Sequence, residues 1–567
     1  MKKSILSAAL SVLGVCAMAQ TGERSERLDS VVVSASRAGS STPVTFTMVS
    51  RETLRAAAPS ASLPMALSLQ PSVVVSNEGG TGLGYSSLSI RGSRGTQINV
   101  TLNGITLNDS ESQEVFWVNI PSLSSLLSSV QVQRGLGTGT VGTGAFGANI
   151  NMSTASVSAD PHFLAELSYG SYRTRTVVAS ASTGLLPGGF YASAAYTRGD
   201  TEGYVRNAWA RVQSALAVVG WLQGAHSLRL TWLMGSQHSG ITWNGISLED
   251  YARDRRYNSA GEYLDQQGKV QYYTNESDNY TQHHLQLNYT HAFAAGWFWT
   301  NTLNWTAGSG YYEQYKADKK FTKYGWSPDA LVGGLPAKTR ADFVIRKGLD
   351  NGYLVGQSEL KYNGERLSAV AGVGLSRYGG SHHGEVLRCS LLPGFDFSPY
   401  NVRGPENNWY YNTGLKRELD LFARAEYALA QWTLYGDLMY RGIDYTMAGT
   451  DDEDHLPLDG TQRWRFFQPR AGLSWRPDAA RKLYGSVSLG HREPGRSDLK
   501  EVIESQNLGG NLPDLKPEKM LDVELGYSYT SGRFSGSANL YLMDDRLLRP
   551  STKKIFLTTP FSSGSIA

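Results

Sequence analysis

The chain has 567 residues, enough for several domains or for one large barrel with an insert. Its formal net charge is +3, or +1 without Lys2 and Lys3 of the leader, which gives no electrostatic case for nucleic acid. Charged residues are only 18%, mean hydropathy is −0.31, and past residue 20 no apolar run reaches the ~20 residues of a membrane-spanning helix.

Met1 to Ala19 reads as a secretory signal. Lys2 and Lys3 form its basic end, Ile5 to Val15 its apolar core, and Ala17-Met18-Ala19 the cleavage site, leaving Gln20 as the new start. Cleavage would remove Cys16 and leave Cys389 alone, so no intrachain disulfide can form. Thr21 to Arg27 is polar, and Leu28 to Ala35 is a β-branched run suited to strand pairing. From Pro43 the pattern fits a small mixed domain. Val44 to Val49 reads as a strand, Ser50 to Leu54 as a capped helix start, and Ser62 to Leu69 as a second short helix. Val73 to Val75 follows as a strand and Asn77 to Tyr85 as a glycine-rich loop around Gly80.

The run from Gly135 to Gly147 satisfies G-x-G-x-x-G twice. A dinucleotide fold needs a helix after those glycines, because the pyrophosphate sits on the helix N-terminus. Ala148 to Thr154 instead alternates and reads as a strand, and no phosphate-loop lysine follows. The glycines therefore serve tight, close-packed turns.

Leu88-Ser89-Ile90-Arg91-Gly92, Val100 to Ile105 with Asn103-Gly104, Asn119-Ile120-Pro121, Val130 to Gly135 with Arg134, and the run through Gly144 and Gly147 to Asn149 occur in one order. Together they resemble the plug domain of TonB-dependent outer-membrane receptors. The resemblance implies a globular plug inside an antiparallel transmembrane β-barrel of about 22 strands. It also implies a TonB box at Asp29, Ser30, Val31, Val32 and Val33, an exposed segment that TonB takes by strand addition. Arg91 and Arg134 would then bond carboxylates on the inner barrel wall, so that a removable plug is held by polar contacts. The expected division is a signal peptide over 1–19, a leader with the TonB box over 20–42, a plug over 43–156, a barrel over 157–545 and an irregular tail over 546–567.

From His162 onward, segments of about 8–13 residues alternate in polarity between turn residues. Leu285, Leu287, Tyr289, His291 and Phe293 share one face, and His284, Gln286, Asn288 and Thr290 the other. Trp432, Leu434 and Leu438 likewise oppose Tyr435, Asp437 and Arg441. Tyr169, Trp297, Trp299 and Trp475 suit interfacial girdles. Gly170-Ser171, Ala294-Ala295-Gly296 and Ser531-Gly532 read as short periplasmic turns. Gln237 to Thr281, Gly308 to Gly352, Gly379 to Arg417 and Arg492 to Lys519 read as long extracellular loops. Trp243-Asn244-Gly245 and His491 to Leu499 resemble segments of Bacteroidetes-type family members. About fifteen segments fit the alternation before Asp545, fewer than about 22, so the barrel is expected to be incomplete at its C-terminus.

Ligand contacts are expected from Gly80 and Tyr85 of the plug and from Trp243, Tyr311, His382, His383 and Trp409 of the loops. The aromatics could stack on a planar or sugar-like ligand, and the histidines could touch iron or haem. No H-E-x-x-H, G-x-S-x-G or paired cysteines occur, so neither an enzyme nor a bound cofactor is expected. The function implied by the resemblance is active uptake of a bulky, scarce nutrient across the outer membrane. TonB and outer-membrane lipid would be the partners, and an iron–siderophore complex or haem the cargo. Cobalamin and glycans stay open, as do a structural or adhesive barrel and a non-functional truncated receptor.

Overall fold

The computed structural model describes residues 37–57, 62–138, 146–154, 158–327, 336, 338–405, 408–506, 515–532 and 534–546. The leader with Asp29 to Val33, and Gly144 in the plug, lie outside them.

The N-terminal unit starts with β1 (Phe46–Ser50) and α1 (Arg51–Ala57), where the Ser50 hydroxyl accepts the Thr53 N–H at 3.3 Å. Next come α2 (Leu63–Ala66), β2 (Val73–Asn77), β3 (Ser86–Ile90), β4 (Ile98–Leu102), β5 (Ile105–Thr106), β6 (Leu127–Arg134) and β7 (Ala148–Thr154). The expected second helix is thus a single turn with Pro64 in its first turn. Five strands form one sheet in the order β1-β6-β7-β4-β5, with β4 and β7 parallel. Strands β2 and β3 make a separate hairpin. Leu54, Leu63 and Leu67 of the helical segment pack on Val130, Val132, Ile150 and Met152 of the sheet, all buried. This apolar cluster runs on into the following sheet, taking in Tyr191, Leu216, Val218, Leu222 and Leu233.

Among the described residues that follow, the main element is one antiparallel sheet of fifteen strands. In order they are β8 (His162–Tyr169), β9 (Arg175–Ser182), β10 (Phe190–Thr201), β11 (Ala210–Gln223), β12 (His226–Gly240), β15 (Ser277–Ala294), β16 (Trp297–Lys320), β17 (Arg340–Asn363), β18 (Leu367–Cys389), β19 (Tyr411–Leu429), β20 (Trp432–Gly449), β21 (Gly460–Trp475), β22 (Arg481–Arg492), β23 (Glu518–Ser531) and β24 (Phe534–Arg546). Between β12 and β15 a loop carries α3 (Leu248–Arg253) and the hairpin β13 (Glu262–Leu264) and β14 (Val270–Tyr272). Helix α4 (Arg496–Gln506) lies in the loop after β22.

The expected alternation is present, and its sense is inverted relative to a water-soluble sheet. Leu285 and Leu287 are exposed, whereas Gln286, Asn288 and Thr290 between and beyond them are buried. Trp432, Leu434 and Leu438 are exposed while Asp437 and Arg441 are buried. An apolar outer face and a polar inner face suit a wall between lipid and a polar lumen.

Two expectations about the links need correction. The Gly170-Ser171 turn lies at the end of the long loops, not with the short turns. The Tyr172 carbonyl accepts the Glu202 N–H at 2.9 Å, and Arg173 pairs with Glu202 at 2.6 Å in the next link on that side. Links alternate between ends in an antiparallel sheet, so parity fixes the side and length does not. The long links are also shorter than expected, at 241–276, 321–339, 390–410 and 493–517. Stretches such as Gly308-Ser309-Gly310 and Gly379-Gly380 read as loop by composition but remain in the ladder. There the missing side chains leave room for neighbours: Gly308 lies under the Tyr280 ring and Gly384 under Trp409.

Candidate functional site: the plug seam and the outer mouth

The wall touches the plug from many sides, through apolar patches (Leu216, Val218 and Leu233 on the plug core, Val355, Phe422 and Met439 on Ile105) and through polar contacts. Arg55 pairs with Glu166 on β8, and the Ser214 hydroxyl of β11 donates to the Pro121 carbonyl at 2.6 Å. Asn103 donates to Gln286 of β15 at 3.1 Å. The Thr42 hydroxyl donates to Glu426 of β19 at 2.5 Å, and Lys482 of β22 donates to the Thr42 carbonyl at 2.7 Å. On β12, Gly235 lets the wall backbone approach the Asn119 carbonyl so closely that a Cβ would overlap it.

The plug motif residues take distinct places in this seam. Arg91, at φ 50°, forms an ion pair with Glu524 of β23 and lies 4.0 Å from the centroid of the Tyr541 ring. Gly92 follows at φ +80°. Arg134 departs from expectation. It donates to the Pro71 carbonyl and the Thr47 hydroxyl, each at 2.9 Å, and so ties the plug to itself instead of to a wall carboxylate. Arg134 ends β6 beside β1, within reach of Thr47 on that strand and of the Pro71 carbonyl. Gly135 at φ +81° is pressed against Asp522 and Glu524, which leaves no room for a Cβ. Asn103 and Gly104 both have φ > 0 and form the tight link between β4 and β5. Gly147 donates to the Gln97 carbonyl at 2.8 Å, and Asn149 donates to the Leu136 carbonyl at 3.2 Å.

At the outer end, the loop carrying Asp109, Glu111 and Glu114 rises from the plug into the mouth. Its centre is the Glu111 carboxylate, buried and reached from two wall strands and a loop. Tyr378 of β18 donates to it at 2.9 Å and Tyr445 of β20 at 2.6 Å. His382 Nε2 lies at 2.8 Å, and Arg496 Nη1 at 3.5 Å. The Glu111 carbonyl also accepts the Arg496 N–H at 3.0 Å. Burial alone would raise the Glu111 pKa, but the charges of His382 and Arg496 hold it well below the usual carboxylate range. Asp109, two residues away, goes the other way: burial, and then the Glu111 charge, push it up. Beneath this loop a second buried network joins Lys416 to Glu493 at 2.7 Å and Arg441 to Glu418 and Glu493.

Beside the apex is an aromatic chain. Tyr85 meets Trp243 edge-on at 5.1 Å, and Trp243 meets Tyr312 at 5.7 Å. The Tyr85 hydroxyl bonds Asp278, and burial, then that carboxylate, raise its pKa well above the ordinary value. Glu78, on the same plug loop, accepts from the Thr242 hydroxyl at 2.7 Å.

Of the expected ligand contacts, Tyr85, Trp243 and His382 come together around the mouth. The others do not. Gly80 is covered by Tyr204. His382 and His383 sit on a strand, so they point to opposite faces and cannot ligate one metal together. His383 faces outward near Glu385, at 3.8 Å. Tyr311 also faces outward, with the Arg346 guanidinium 4.1 Å from its ring centroid. Trp409 is buried among Tyr324, Phe343 and Tyr410 under the 390–410 loop. Among the described residues no group of three or more His, Cys, Asp or Glu side chains is arranged to hold a metal ion.

Sequence alone did not single out Glu111, Asp278 or Glu524. Strand parity could have found Glu524. Asp522 and Glu524 sit at the inward positions of a strand whose outward residues are Leu521, Val523 and Leu525. An isolated carboxylate on the lumen face opposite a plug arginine is the readable sign.

The TonB-dependent receptor plug domain matches residues 38–149, and the TonB-dependent receptor-like β-barrel matches residues 231–559. The chain belongs to the TonB-dependent receptor family. Solved structures with the same fold include the ferric yersiniabactin uptake receptor FyuA from Yersinia pestis, at 13% identity and TM-score 0.65, covering 91% of this chain and 74% of that one. The ferric citrate transporter FecA in its unliganded form is similar at 14% identity and TM-score 0.66, covering 93% and 73%. The copper transporter OprC is similar at 14% identity and TM-score 0.64, covering 89% and 74%. No curated protein matches the receptor in sequence. Family membership places the receptor among Gram-negative outer-membrane β-barrels.

Proposed function

We propose that this receptor takes up a bulky, scarce nutrient across the outer membrane, an iron–siderophore complex or haem, with energy delivered by TonB. The observation that carries the reading is the polar seam. A compact unit is seated in the wall through ion pairs and hydrogen bonds such as Arg91–Glu524 and Asn103–Gln286 as well as apolar patches, and the polar groups on both sides can take water in place of one another when the plug moves. Cargo would meet Tyr85, Trp243 and Tyr312 at the mouth, and the Glu111 loop would report its arrival to the plug. Removal of the signal at 1–19, and capture of Asp29 to Val33 by TonB, belong to this proposal. The iron cargo draws support from similarity to receptors whose names carry ferric chelates; OprC, a copper transporter, is equally similar.

The test is uptake of radiolabelled ferric chelates and haem by cells that make the intact receptor or a variant lacking Asp29 to Ala35. Energised uptake should vanish in the variant while surface binding persists. Unchanged uptake in the variant, or no cargo-dependent uptake by the intact receptor, would refute the proposal.

A further inference from the structure

The outward face of the wall carries one charge arrangement that neither the seam nor the mouth uses. On β18 to β21 the register sets Arg377 opposite Arg417, Arg417 opposite Asp444, and Asp444 opposite Arg463. Arg465 lies two residues further along β21, on the same face. Asp444 is the single carboxylate of the group, with Arg465 Nη2 at 2.8 Å and Arg463 Nε at 4.0 Å. Arg377 and Arg417 are exposed and have no carboxylate partner among the described residues. Like charges directly opposite on a sheet destabilise it, so this pair costs stability unless an anion from outside lies between its members. Several other charges at that end are paired singly, as in Arg346–Glu313, Arg403–Asp350 and Arg340–Asp318.

Height on the wall says what the anion belongs to. Just inward of the arginines along each strand come Leu375, Leu419 and Phe467, all exposed. The apolar face then continues down β19 through Leu421 and Tyr427 to Leu429. From Leu419 to Leu429 a strand tilted ~45° rises ~24 Å, close to the height of a lipid-facing apolar band. The arginine row is therefore the first polar step above that band, on the side of the long loops. That is the level of lipid headgroups in the outer leaflet.

We propose that Arg377, Arg417, Arg463 and Arg465 form a docking surface for the phosphorylated headgroup of an outer-leaflet lipid. Each guanidinium offers a planar pair of donors to phosphate oxygens, and the acyl chains of the same molecule lie along Leu375, Leu419 and Phe467. Continuity of the charged row with the apolar band favours a lipid over a free anion, since a free anion would use only the charges.

The test uses the full-length receptor, extracted from outer membranes in mild detergent. It is mixed with phosphatidylcholine micelles containing either monophosphoryl lipid A or the same lipid with its phosphate removed. Native mass spectrometry then reads the lipid retained. The receptor should hold the phosphorylated form selectively, and R377Q/R417Q should weaken that retention about 30-fold. R377K/R417K, which keeps both charges, should retain most of it. Heat-modifiable gel mobility checks that each variant is folded; if the double variant is not, R417Q alone should weaken retention about fivefold. Equal retention by the receptor and the Gln variant overturns the proposal, as does equal retention of the dephosphorylated lipid. Displacement by millimolar inorganic phosphate overturns it too, because the site would then belong to a free anion.

Discussion

Replacing Glu111 by Ala should release the outer loop of the plug while leaving the barrel folded. The carboxylate accepts bonds from Tyr378, Tyr445 and His382 and faces Arg496, all within 2.6–3.5 Å. Truncation leaves those donors buried with no acceptor, and breaking a buried charge pair costs about 3–5 kcal/mol. That corresponds to a rise of roughly a hundred- to several-thousandfold in the opening equilibrium of residues 107–114. Hydrogen exchange on the full-length receptor reads this directly as lost protection over the loop. Protection of the plug sheet around Val132 and Ile150 should hold, because the loop meets that core only at its two ends, through Leu107 and Val115. Wild-type protection of residues 107–114 in E111A would refute the reasoning and show that the other bonds to the loop, from Arg496 N–H to the Glu111 carbonyl, Lys416 to the Ser110 carbonyl and Gln113 to the Glu493 carbonyl, suffice to hold the apex. Glu111→Gln should fall between, keeping acceptor geometry but losing charge.

The same group sets a pH dependence. Its pKa in the folded receptor lies below the unfolded value, so its contribution is complete above about pH 4.3 and drains away as the pH falls through the folded pKa. Loop protection should therefore be flat from neutral pH to about 5 and decline below about 4, checked by exchange at matched intrinsic rates. Arg91→Gln should loosen the seam by leaving the Glu524 carboxylate buried and unpaired, costing about 3–5 kcal/mol; urea extraction of the plug, followed by protease access, should occur at lower denaturant than in the wild type. Gly235→Val should force β12 away from the Asn119 carbonyl and destabilise plug docking by about 1–3 kcal/mol, seen as faster proteolysis between the plug and β8. Tyr85→Ala should weaken cargo binding at the mouth without changing gel mobility of the folded barrel, measured by equilibrium binding of the cargo identified in the uptake assay.

Much of the architecture was legible in the residues because a barrel strand obeys one rule, alternation, and Leu285 to Phe293 against His284 to Thr290 obeys it cleanly. The Asn103-Gly104 turn was legible for a similar reason, since few pairs tolerate φ > 0 twice. Links were less legible. Glycine and serine lower the apparent strand content at Gly308 to Gly310, yet backbone pairing continues through them. The mouth was least legible, because its contacts join residues hundreds of positions apart. Glu111 and Tyr445 have no local pattern in common. His382 and His383 look like a pair until the strand turns them to opposite sides. Trp409 has a binding side chain by type, and only the fold of the 390–410 loop shows it buried.

The inverted wall has a consequence for passage. When the plug leaves, the surface it uncovers is already wettable: Gln286, Asn288, Thr290, Asp437 and Arg441 line it. Water can wet those polar stretches at once, whereas apolar wall patches such as Leu216, Val218 and Leu233, and Val355, Phe422 and Met439, would lose their plug partners. Where the seam is polar, opening and reseating would differ mainly in which partner, solvent or plug, satisfies the same amides and charges, and re-burial of the apolar patches would favour the seated state.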